Sequence, residues 1–334
     1  MNIVLVCNAV LPPALYGGTE RVVWYLGKAL AAMGHKVTFM CDGRTKSDFA
    51  AVIPCDGAKP FLPQLPKGTD IIHFHGDVPQ DAADLPNYIK TNHGQYGGDN
   101  EREVYVSKNH ALRFGSNSYV YNGMDWDDYG PVALDNQRRY FHFLGKAAWR
   151  VKNLKGAVST VLAAGKREEL AVLGGSRLNF KMGFRFTLSP RVKFYGMVGG
   201  REKLILLQQS KGLVFPVLWH EPFGIAVIES LYFGCPVLAT PYGSLPELVT
   251  PDVGFLSDSR PQLSKACREI DAFSGRRCHE YARDLFSSKR MALEYLKKYE
   301  EVLNGRSLNP NPPQVKNVPH QKFLPWYDGA AALQ

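Results

Sequence analysis

The sequence has few cysteines, and none stands in a spacing that binds metal or forms a disulfide framework. Six cysteines are spread over 334 residues without any C-x-x-C pair. Cys7, Cys41 and Cys235 lie in apolar stretches, which is typical of buried free thiols. No apolar run approaches the roughly 18 residues that a membrane-spanning helix requires. These absences argue against a disulfide-stapled fold, a zinc module and a membrane-spanning protein.

Two common nucleotide-binding signatures are also missing. There is no G-x-x-x-x-G-K-[ST] loop, and no G-x-G-x-x-G follows the first predicted strand. The N-terminus lacks a basic segment before its short apolar run Ile3–Val6, and Asn8 follows almost at once. This start predicts a β-strand and not a signal peptide. The expected location is the cytoplasm, with peripheral contact to the inner face of the membrane left open.

Charge is divided unequally along a chain of otherwise globular composition, with 45% hydrophobic and 21% charged residues. Residues 1–130 hold 11 basic and 14 acidic residues (net −3), whereas residues 131–334 hold 29 and 17 (net +12). The basic half is therefore expected to meet an anion: nucleic acid, membrane phosphate or a phosphorylated small molecule. Nucleic acid is not expected, because the lysines are scattered and no RRM, KH or helix-turn-helix signature is present.

Apolar strands alternate with amphipathic helices along the chain. The strand Ile3–Cys7 is followed by a helical pattern from Glu20 to about Met33 and by a second strand, Lys36–Met40. Uninterrupted apolar strands joined by helices indicate a parallel sheet covered on both faces. The pattern restarts with the strand Tyr140–Gly145. We therefore predict an α/β protein of two doubly wound domains, joined near Tyr129–Asn136.

The predicted organisation has four parts. Residues 1–130 form a shortened N-terminal Rossmann-like domain, in which Ser118–Tyr121 is expected to be its last strand. Residues 131–286 form a second Rossmann-like domain. Residues 287–304 form a helix that is expected to pack back on the N-terminal domain, and residues 305–334 form a mostly irregular tail.

The strongest chemical signal follows the predicted strand Leu213–Val217. There the chain has the sequence H-E-P-F-G-I-A-V-I-E over residues 220–229. Pro222 suits the first position of a helix, and Gly224 lets a ligand approach the backbone closely. The N–H groups and dipole at such a helix start favour phosphate.

Two carboxylates flank this helix start. Glu221 and Glu229 are expected about 12 Å apart, at ~1.5 Å per helical residue. They are too far apart for the ~5 Å carboxylate pair of a retaining hydrolase. Carboxylates accept hydrogen bonds from hydroxyls, so the arrangement suits a sugar diphosphate, with one carboxylate for a ribose and one for a sugar. An isolated pair with this spacing would instead indicate a capped helix with a solvated glutamate.

The surroundings of the pair decide between these interpretations. The stretch continues through Gly243-Ser244-Leu245-Pro246-Glu247-Leu248. Further segments are Tyr16–Arg21, Asp70–His75, Thr91–Gly94, Asn122–Asp125, Gly145–Lys152 and Phe194–Gly196. Together they resemble, over nearly the whole chain, the retaining glycosyltransferases of family four, or glycosyl transferases group 1. The resemblance implies a GT-B fold, with two Rossmann-like domains facing a cleft.

The resemblance implies a role for each matched side chain. Glu229 would hold the ribose hydroxyls of a nucleoside-diphosphate sugar, and Glu221 would contact hydroxyls of the donor sugar. Lys146 and Lys152 would neutralise the diphosphate that leaves, and His93 would lie near the anomeric centre. Backbone contacts to the donor are implied for Gly17, Gly18, Met197, Val198, Phe223, Gly224 and Ile225.

The implied activity is retaining transfer of a sugar to a hydroxyl of a sugar, glycolipid or small molecule. The plausible setting is synthesis of lipopolysaccharide, capsule or another glycoconjugate. UDP is weakly preferred over GDP as the nucleotide. No metal or other cofactor is expected, because two lysines would face the leaving group. The alternatives are a non-catalytic nucleotide-sugar-binding protein, or an epimerase or phosphorylase of the same fold.

The sequence departs from the family pattern at three places. Lys146 replaces the usual arginine, which keeps the charge but loses the bidentate fork. Asn153 stands where glycine usually follows the lysine. Only twelve residues separate Gly94 from Ser107, in a region that usually helps form the acceptor pocket. The family therefore gives little guidance on the acceptor.

Two acidic or histidine-rich motifs have a metal-binding alternative. His73, His75, Asp77 and His93 have the residue types of a metal cluster, but a second carboxylate at suitable spacing is absent. The D-x-D sequence at Asp125 follows an Asn-Gly turn, which favours a capped loop. We predict no metal site at either place.

Overall fold

The computed structural model describes residues 1–15, 17–95, 100–177, 188–315 and 322–329. The chain divides into two compact units. The first unit takes the described parts of Met1–Pro13, Gly17–Asp128 and Leu285–Val318. The second takes those of Ala14–Tyr16, Tyr129–Asp284 and Pro319–Gln334. Both units are therefore built from discontinuous stretches of sequence.

Strands and helices alternate through both units. The strands are β1 Asn2–Cys7, β2 Lys36–Cys41, β3 Ala51–Pro54, β4 Ile71–Phe74, β5 Tyr88–Asn92, β6 Glu103–Tyr105, β7 Tyr140–Leu144, β8 Leu170–Leu173, β9 Val192–Phe194, β10 Ser210–Phe215, β11 Val237–Ala239 and β12 Gly254–Leu256. The helices are α1 Gly18–Ala32, α2 Lys108–Arg113, α3 Leu154–Ala164, α4 Gly200–Gln208, α5 Ile225–Tyr232, α6 Leu245–Leu248, α7 Arg260–Arg268, α8 Gly275–Leu285 and α9 Ser288–Leu303. None of these helices is both long and apolar enough to cross a bilayer.

Each unit contains a parallel sheet in the doubly wound order. The described strands pair as β3-β2-β1-β4-β5-β6 in the first unit and as β12-β11-β10-β7-β8-β9 in the second. The first strand of each sheet lies inside it, so the winding reverses between β1 and β4 and between β7 and β10. Open α/β sheets bind ligands at the carboxyl ends of strands beside such a reversal. The predicted fold class is confirmed, and the order of the strands marks where a ligand site belongs in each unit.

Two local predictions are wrong, and one strand was not predicted. Ser118–Tyr121 is not a strand, since only Tyr119 bridges to Tyr105. The edge strand β3 was not predicted, because its four residues are partly or fully exposed and carry no continuous apolar pattern. Pro222 does not begin a helix: α5 begins at Ile225, after Gly224 has adopted a left-handed φ of 96°.

A buried polar ladder joins helix α9 to the sheet of the first unit. The imidazole of His73 on β4 makes hydrogen bonds to Thr91 Oγ1 on β5 (2.7 Å) and to the Tyr299 hydroxyl on α9 (2.9 Å). Thr91 Oγ1 is in turn 2.9 Å from the Tyr295 hydroxyl. These four side chains are at most 1% exposed. Because buried polar atoms need partners, the two tyrosines tie α9 to this sheet.

A second buried histidine fixes helix α5 in the second unit. His142 on β7 bonds to Ser210 on β10 (2.6 Å) and to Ser230 on α5 (2.8 Å). Burial lowers the pKa of His142 to about 3, so the ring stays neutral and each of its nitrogens has a hydroxyl partner. The neighbour of Ser230 in the chain is Glu229, whose helix is thereby held against the sheet.

We expect Tyr299→Phe to lower the stability of the first unit by about 1–3 kcal/mol, because it removes the hydroxyl partner of His73 Nδ1. Urea denaturation followed by hydrogen exchange of the first sheet measures the loss. Tyr327→Phe is the control, since Tyr327 is 60% exposed and should change stability by less than about 0.5 kcal/mol. Equal effects of the two variants would contradict a stabilising role for the ladder.

Candidate functional site

Two loops meet at the carboxyl ends of β7 and β10, where the winding of the second sheet reverses. The amide of Leu218 donates to the carbonyl of Val151 at 2.7 Å. The Asn153 amide group donates to the carbonyl of Pro216 at 2.9 Å. The first loop carries Lys146 and Lys152, and the second leads into Glu221. The structure thus brings these three predicted side chains to one edge of one sheet.

A buried ion pair connects the two loops. Lys152 Nζ lies 2.6 Å from Glu221 Oε2, and each residue is only 7% exposed. The indole N–H of Trp219 donates to the same oxygen at 2.8 Å. The ammonium also lies 4.8 Å from the Trp219 ring and 5.1 Å from that of Phe215. Both donors converge on Oε2, and no hydrogen bond to Oε1 is formed within the part of the chain that the structure describes.

Two tryptophans stand between the two lysines. Lys146 is exposed, and its Nζ lies 5.2 Å from the ring of Trp149. The rings of Trp149 and Trp219 pack edge to face at 6.3 Å. Neither tryptophan was predicted from the sequence to belong to the site. Their closeness in sequence to predicted site residues, with Trp149 three residues after Lys146 and Trp219 two before Glu221, could have indicated it.

Glycines bring the loops after β7, β8 and β9 into close backbone contact. Gly174 has a φ of 130°, and a Cβ there would overlap the carbonyl oxygen of Gly145. The amide of Gly174 donates to the Gly196 carbonyl at 2.7 Å. Met197 and Val198 follow directly, with Met197 37% exposed. Met197 and Val198, which are predicted to contact the nucleotide base, therefore lie at the same edge of the sheet as Lys146 and Lys152.

The loop before helix α5 is held by the loop after β11. The amide of Ser244 donates to the Glu221 carbonyl at 2.9 Å, and its hydroxyl to the Phe223 carbonyl at 2.6 Å. Gly243 has a φ of 65°, and a Cβ there would overlap the backbone nitrogen and oxygen of Glu221. Only glycine tolerates both conditions. The backbone of residues 221–224 is therefore fixed from the adjacent loop.

Glu229 is buried in a second lysine–glutamate pair. The carboxylate is 2% exposed, and its Oε1 lies 2.6 Å from Lys203 Nζ on α4. The Tyr129 hydroxyl donates to the same oxygen at 2.5 Å. Lys203 is itself 7% exposed, with its ammonium 5.5 Å from the Tyr129 ring. Neither partner was predicted from the sequence, because Lys203 and Tyr129 lie 26 and 100 residues away from Glu229 and carry no motif of their own.

The remaining predicted site residues lie in the first unit. His93 follows β5, and its Nε2 is 3.0 Å from Nδ1 of His75, which follows β4. Burial lowers the pKa of His93 to about 3. Gly18 begins α1, and a Cβ on Gly17 would lie 2.7 Å from Glu20 Oε2. His93, Gly17 and Gly18 all lie at the carboxyl edge of the first sheet, and their roles stay predictions.

Two aspartates in the acidic segment at residues 125–128, which contains the D-x-D motif, are paired with one lysine. Lys28 Nζ lies 2.7 Å from Asp125 Oδ2 and 2.8 Å from Asp128 Oδ1. Among the residues with described coordinates, no group of three or more histidine, cysteine or acidic side chains is arranged to hold a metal. That the reaction needs no metal stays a prediction.

A short segment from the tail, residues 322–329, packs on the site loops. The amide of Leu324 donates to the Leu218 carbonyl at 2.8 Å. The Tyr242 hydroxyl donates to the Pro325 carbonyl at 2.7 Å. Since Leu218 precedes Trp219 and Tyr242 precedes Gly243, the segment contacts both loops that hold Glu221.

Comparison with known proteins identifies a family that part of the chain matches. Residues 132–283 match the family described as Glycosyl transferases group 1. A 144-residue stretch is 28% identical to the GDP-mannose-dependent alpha-(1-6)-phosphatidylinositol dimannoside mannosyltransferase of Mycobacterium tuberculosis. That stretch covers 42% of this chain and 38% of the relative, so the chain spans well under half of the relative's length.

The fold is shared with solved glycosyltransferases over most of the chain. AviGT4, a glycosyltransferase involved in avilamycin A biosynthesis, superposes with a TM-score of 0.76 at 21% identity, covering 92% of this chain and 99% of AviGT4. Anabaena HepE in complex with UDP and glucose gives 0.66 at 15% identity, covering 90% and 100%.

The chain has the GT-B fold, and its residues 132–283 match the glycosyl transferases group 1 family. The fold predicted from the sequence is confirmed, and the predicted family matches over this segment.

We expect Gly243→Ala to destabilise the second unit more than Gly130→Ala does. Both positions have a left-handed φ, which costs a non-glycine residue roughly 1–2 kcal/mol. A Cβ at Gly130 meets nothing within 4 Å, whereas one at Gly243 overlaps Glu221, which should add about 1–3 kcal/mol. Thermal unfolding of the two variants measures the difference, and equal melting temperatures would show that the loop yields without cost.

Proposed function

We propose that this protein is a retaining glycosyltransferase that moves a sugar from a nucleoside-diphosphate sugar to a hydroxyl acceptor. One observation carries the proposal. Within the family-matched segment, a buried lysine–glutamate pair, Lys152–Glu221, lies at the carboxyl edge beside the exposed Lys146. Such a group combines positive charge for a diphosphate with a carboxylate for sugar hydroxyls.

The lysines act on the leaving group. Negative charge grows on the diphosphate as its bond to the sugar breaks, and fixed cations stabilise that charge in the transition state. Lys152 is already desolvated and oriented by Trp219 and Phe215, so little reorganisation is needed when a phosphate oxygen approaches. Lys146 supplies a second, more mobile charge. These two cations take the role that a metal ion plays in many other transferases.

The carboxylates orient the donor. Glu221 holds its Oε2 toward Lys152 and Trp219, which leaves Oε1 to accept from a donor-sugar hydroxyl. Glu229 accepts from the ribose hydroxyls, while Lys203 and Tyr129 fix its carboxylate plane. The backbone of Phe223, Gly224 and Ile225 faces the sugar or the diphosphate, and Met197 and Val198 lie against the base.

The transfer proceeds on one face of the sugar. The acceptor oxygen forms a bond to the anomeric carbon on the side from which the diphosphate departs, and the departing phosphate oxygen takes the acceptor proton. As the resemblance to the family implies, His93 is assigned to the anomeric centre, and the backbone of Gly17 and Gly18 is assigned to the donor. No carboxylate nucleophile is assigned, since Glu221 and Glu229 are each engaged by a lysine.

The acceptor is a hydroxyl of a sugar, glycolipid or small molecule in glycoconjugate synthesis, with the protein in the cytoplasm or at the inner face of the membrane. The name of the mycobacterial relative, which specifies a phosphatidylinositol acceptor, supports the glycolipid option. UDP remains our preferred nucleotide, and HepE was solved with UDP. The name of the mycobacterial relative makes GDP-mannose the first competitor to test.

A thermal-shift screen with UDP- and GDP-sugars tests the donor site directly. A donor present at 100 times its Kd should stabilise the wild-type protein by ~2.7 kcal/mol. Glu229→Ala should weaken donor affinity by about 10- to 100-fold, because hydrogen bonds to a charged group contribute roughly 1.5–3 kcal/mol. Calorimetry on the folded variant measures the affinity.

Glu168→Ala is the matched control for that variant. Glu168 pairs with Lys211 in the same unit at 2.7 Å, and its loss should leave donor binding unchanged. Because Glu229→Ala removes the carboxylate that pairs with the buried Lys203, the double variant Glu229→Ala/Lys203→Met is measured beside it. Wild-type affinity in both would remove Glu229 from the donor site.

Lys152→Ala should lower turnover by roughly 100- to 1,000-fold, as the loss of a preorganised charge at a leaving group does. Mass spectrometry of nucleotide release and of the sugar product from the best donor measures turnover. Lys211→Ala is the control, since it removes another lysine–glutamate pair from the same unit. Unaltered turnover in Lys152→Ala would exclude that lysine from the diphosphate site. Donor binding by the wild type without any release would favour a non-catalytic binding protein.

A further inference from the structure

Strands β4 and β5, with the residues that directly follow them, carry two polar pairs on one face of the first sheet. His73 lies in β4 and His75 just after it, two residues on, and Thr91 and His93 are placed in the same way at β5, so all four side chains point to the same side. His73 is 2.7 Å from Thr91, and His75 Nδ1 is 3.0 Å from His93 Nε2. The rings of His73 and His75 lie 4.0 Å apart. The first pair lies deep in the sheet, and the second lies at its carboxyl edge.

The deep pair has a structural role. Both nitrogens of His73 have partners, and Thr91 is bonded to a tyrosine of α9. Every polar atom of these side chains is used within the core.

The edge pair is different. His75 is only 8% exposed, and its Nε2 is buried without a hydrogen-bond partner among the described residues. His93 uses Nε2 for its bond to His75, so Nδ1 is the ring atom that remains for another partner. The rings of His75 and His93 lie 5.3 Å apart with planes 30° from parallel. This geometry is consistent with a directed bond between two neutral rings.

The neutrality of both rings follows from their burial. Desolvation lowers the pKa of His75 well below its usual value, and it lowers that of His93 to about 3. His110 adds to the effect on His93, and its own Nε2 is 2.7 Å from the Gly94 carbonyl. A single proton therefore lies between His75 Nδ1 and His93 Nε2. The ring that carries it decides whether Nδ1 of His93 is a donor or an acceptor.

We infer that His75 is a positioning residue that fixes the ring plane and the tautomer of His93. The inference rests on the proposed function, in which His93 meets the donor near the anomeric carbon. A histidine held in one tautomer offers the same atom to every substrate molecule, whereas a loose ring offers a mixture. In other enzymes a wrong tautomer of an active-site histidine costs far more activity than a lost contact does.

Two amide substitutions separate this role from simple packing. In His75→Asn the side-chain amide occupies the place of Nδ1, whereas in His75→Gln it reaches the place of Nε2. Both variants lose the ring, so they share the loss of packing. Only the Asn variant retains a hydrogen-bonding atom opposite His93 Nε2. The difference between them therefore isolates the bond to His93.

The experiment uses the full chain and two readouts. Ring ¹H–¹⁵N correlation spectra report the tautomer of His93 without any substrate, and hydrolysis of the preferred UDP- or GDP-sugar reports kcat and KM. In His75→Asn we expect the wild-type His93 tautomer and a kcat within about threefold. In His75→Gln we expect a mixture of tautomers and a kcat lower by roughly 10- to 100-fold, as for loss of an orienting partner. KM should change little in either variant.

Two results would overturn the inference: equal kcat values in the Asn and Gln variants, or an unchanged His93 tautomer in His75→Gln. The proposed function fails differently, since a wild-type protein that neither binds nor hydrolyses any nucleotide sugar would refute it. In that case the ring spectra would still decide whether His75 orients His93.

Discussion

The buried contact between Lys152 and Glu221 is the interaction on which the architecture of the second unit's site depends. A lysine that is 7% exposed needs a carboxylate, because burying an unpaired charge is strongly unfavourable. Its partner arrives from another loop, 69 residues away in sequence. That partner in turn needs Gly243 to let the neighbouring loop reach its backbone. Three loops at one sheet edge are therefore mutually dependent, and their geometry is set before any ligand arrives.

Glu229 extends the same principle to the helix that follows. Both carboxylates assigned to the donor already carry a lysine and a second donor, Trp219 in one case and Tyr129 in the other. Each pair is buried and already oriented, so under the proposed function its orientation would cost little when a nucleotide sugar binds. The two pairs differ in exposure. The Lys152–Glu221 pair lies beside the exposed Lys146, whereas Glu229 is only 2% exposed. The helix that carries Glu229 is held to the sheet by the hydrogen bond between His142 and Ser230. Under the proposed function, the first pair would face the diphosphate, on which charge grows during transfer, and the second would hold the ribose of the same leaving nucleotide.

The sequence predicts the fold because the information lies in local patterns. Apolar strands, helical periodicity and glycine-rich turns identify two doubly wound sheets. They also place Lys152 and Glu221 in loops that follow strands, and Glu229 in the helix after Glu221. The supporting partners are not predictable in this way. Trp219, Lys203 and Tyr129 act through contacts between distant segments, and no local spacing distinguishes a buried lysine on α4 from a solvated one. Two errors of secondary structure also come from features that local patterns do not show. Strand Ala51–Pro54 depends on pairing with β2, and the helix start moves from Pro222 to Ile225 because Gly224 adopts a left-handed φ.

The discontinuity of the first unit has a consequence for its synthesis. Strands β1 to β6 leave the ribosome first, yet the hydroxyls that satisfy His73 and Thr91 belong to Tyr299 and Tyr295. Until α9 has been translated, His73 and Thr91 lack these two hydroxyl partners, and the face of the sheet that α9 covers is open to solvent. Domains are commonly expected to fold in order from the N-terminus. Here the N-terminal unit is completed last, after the whole second sheet has been made. A nascent chain would therefore expose the α9-binding face of the first sheet throughout synthesis of the second unit, and this face is where chaperones should act.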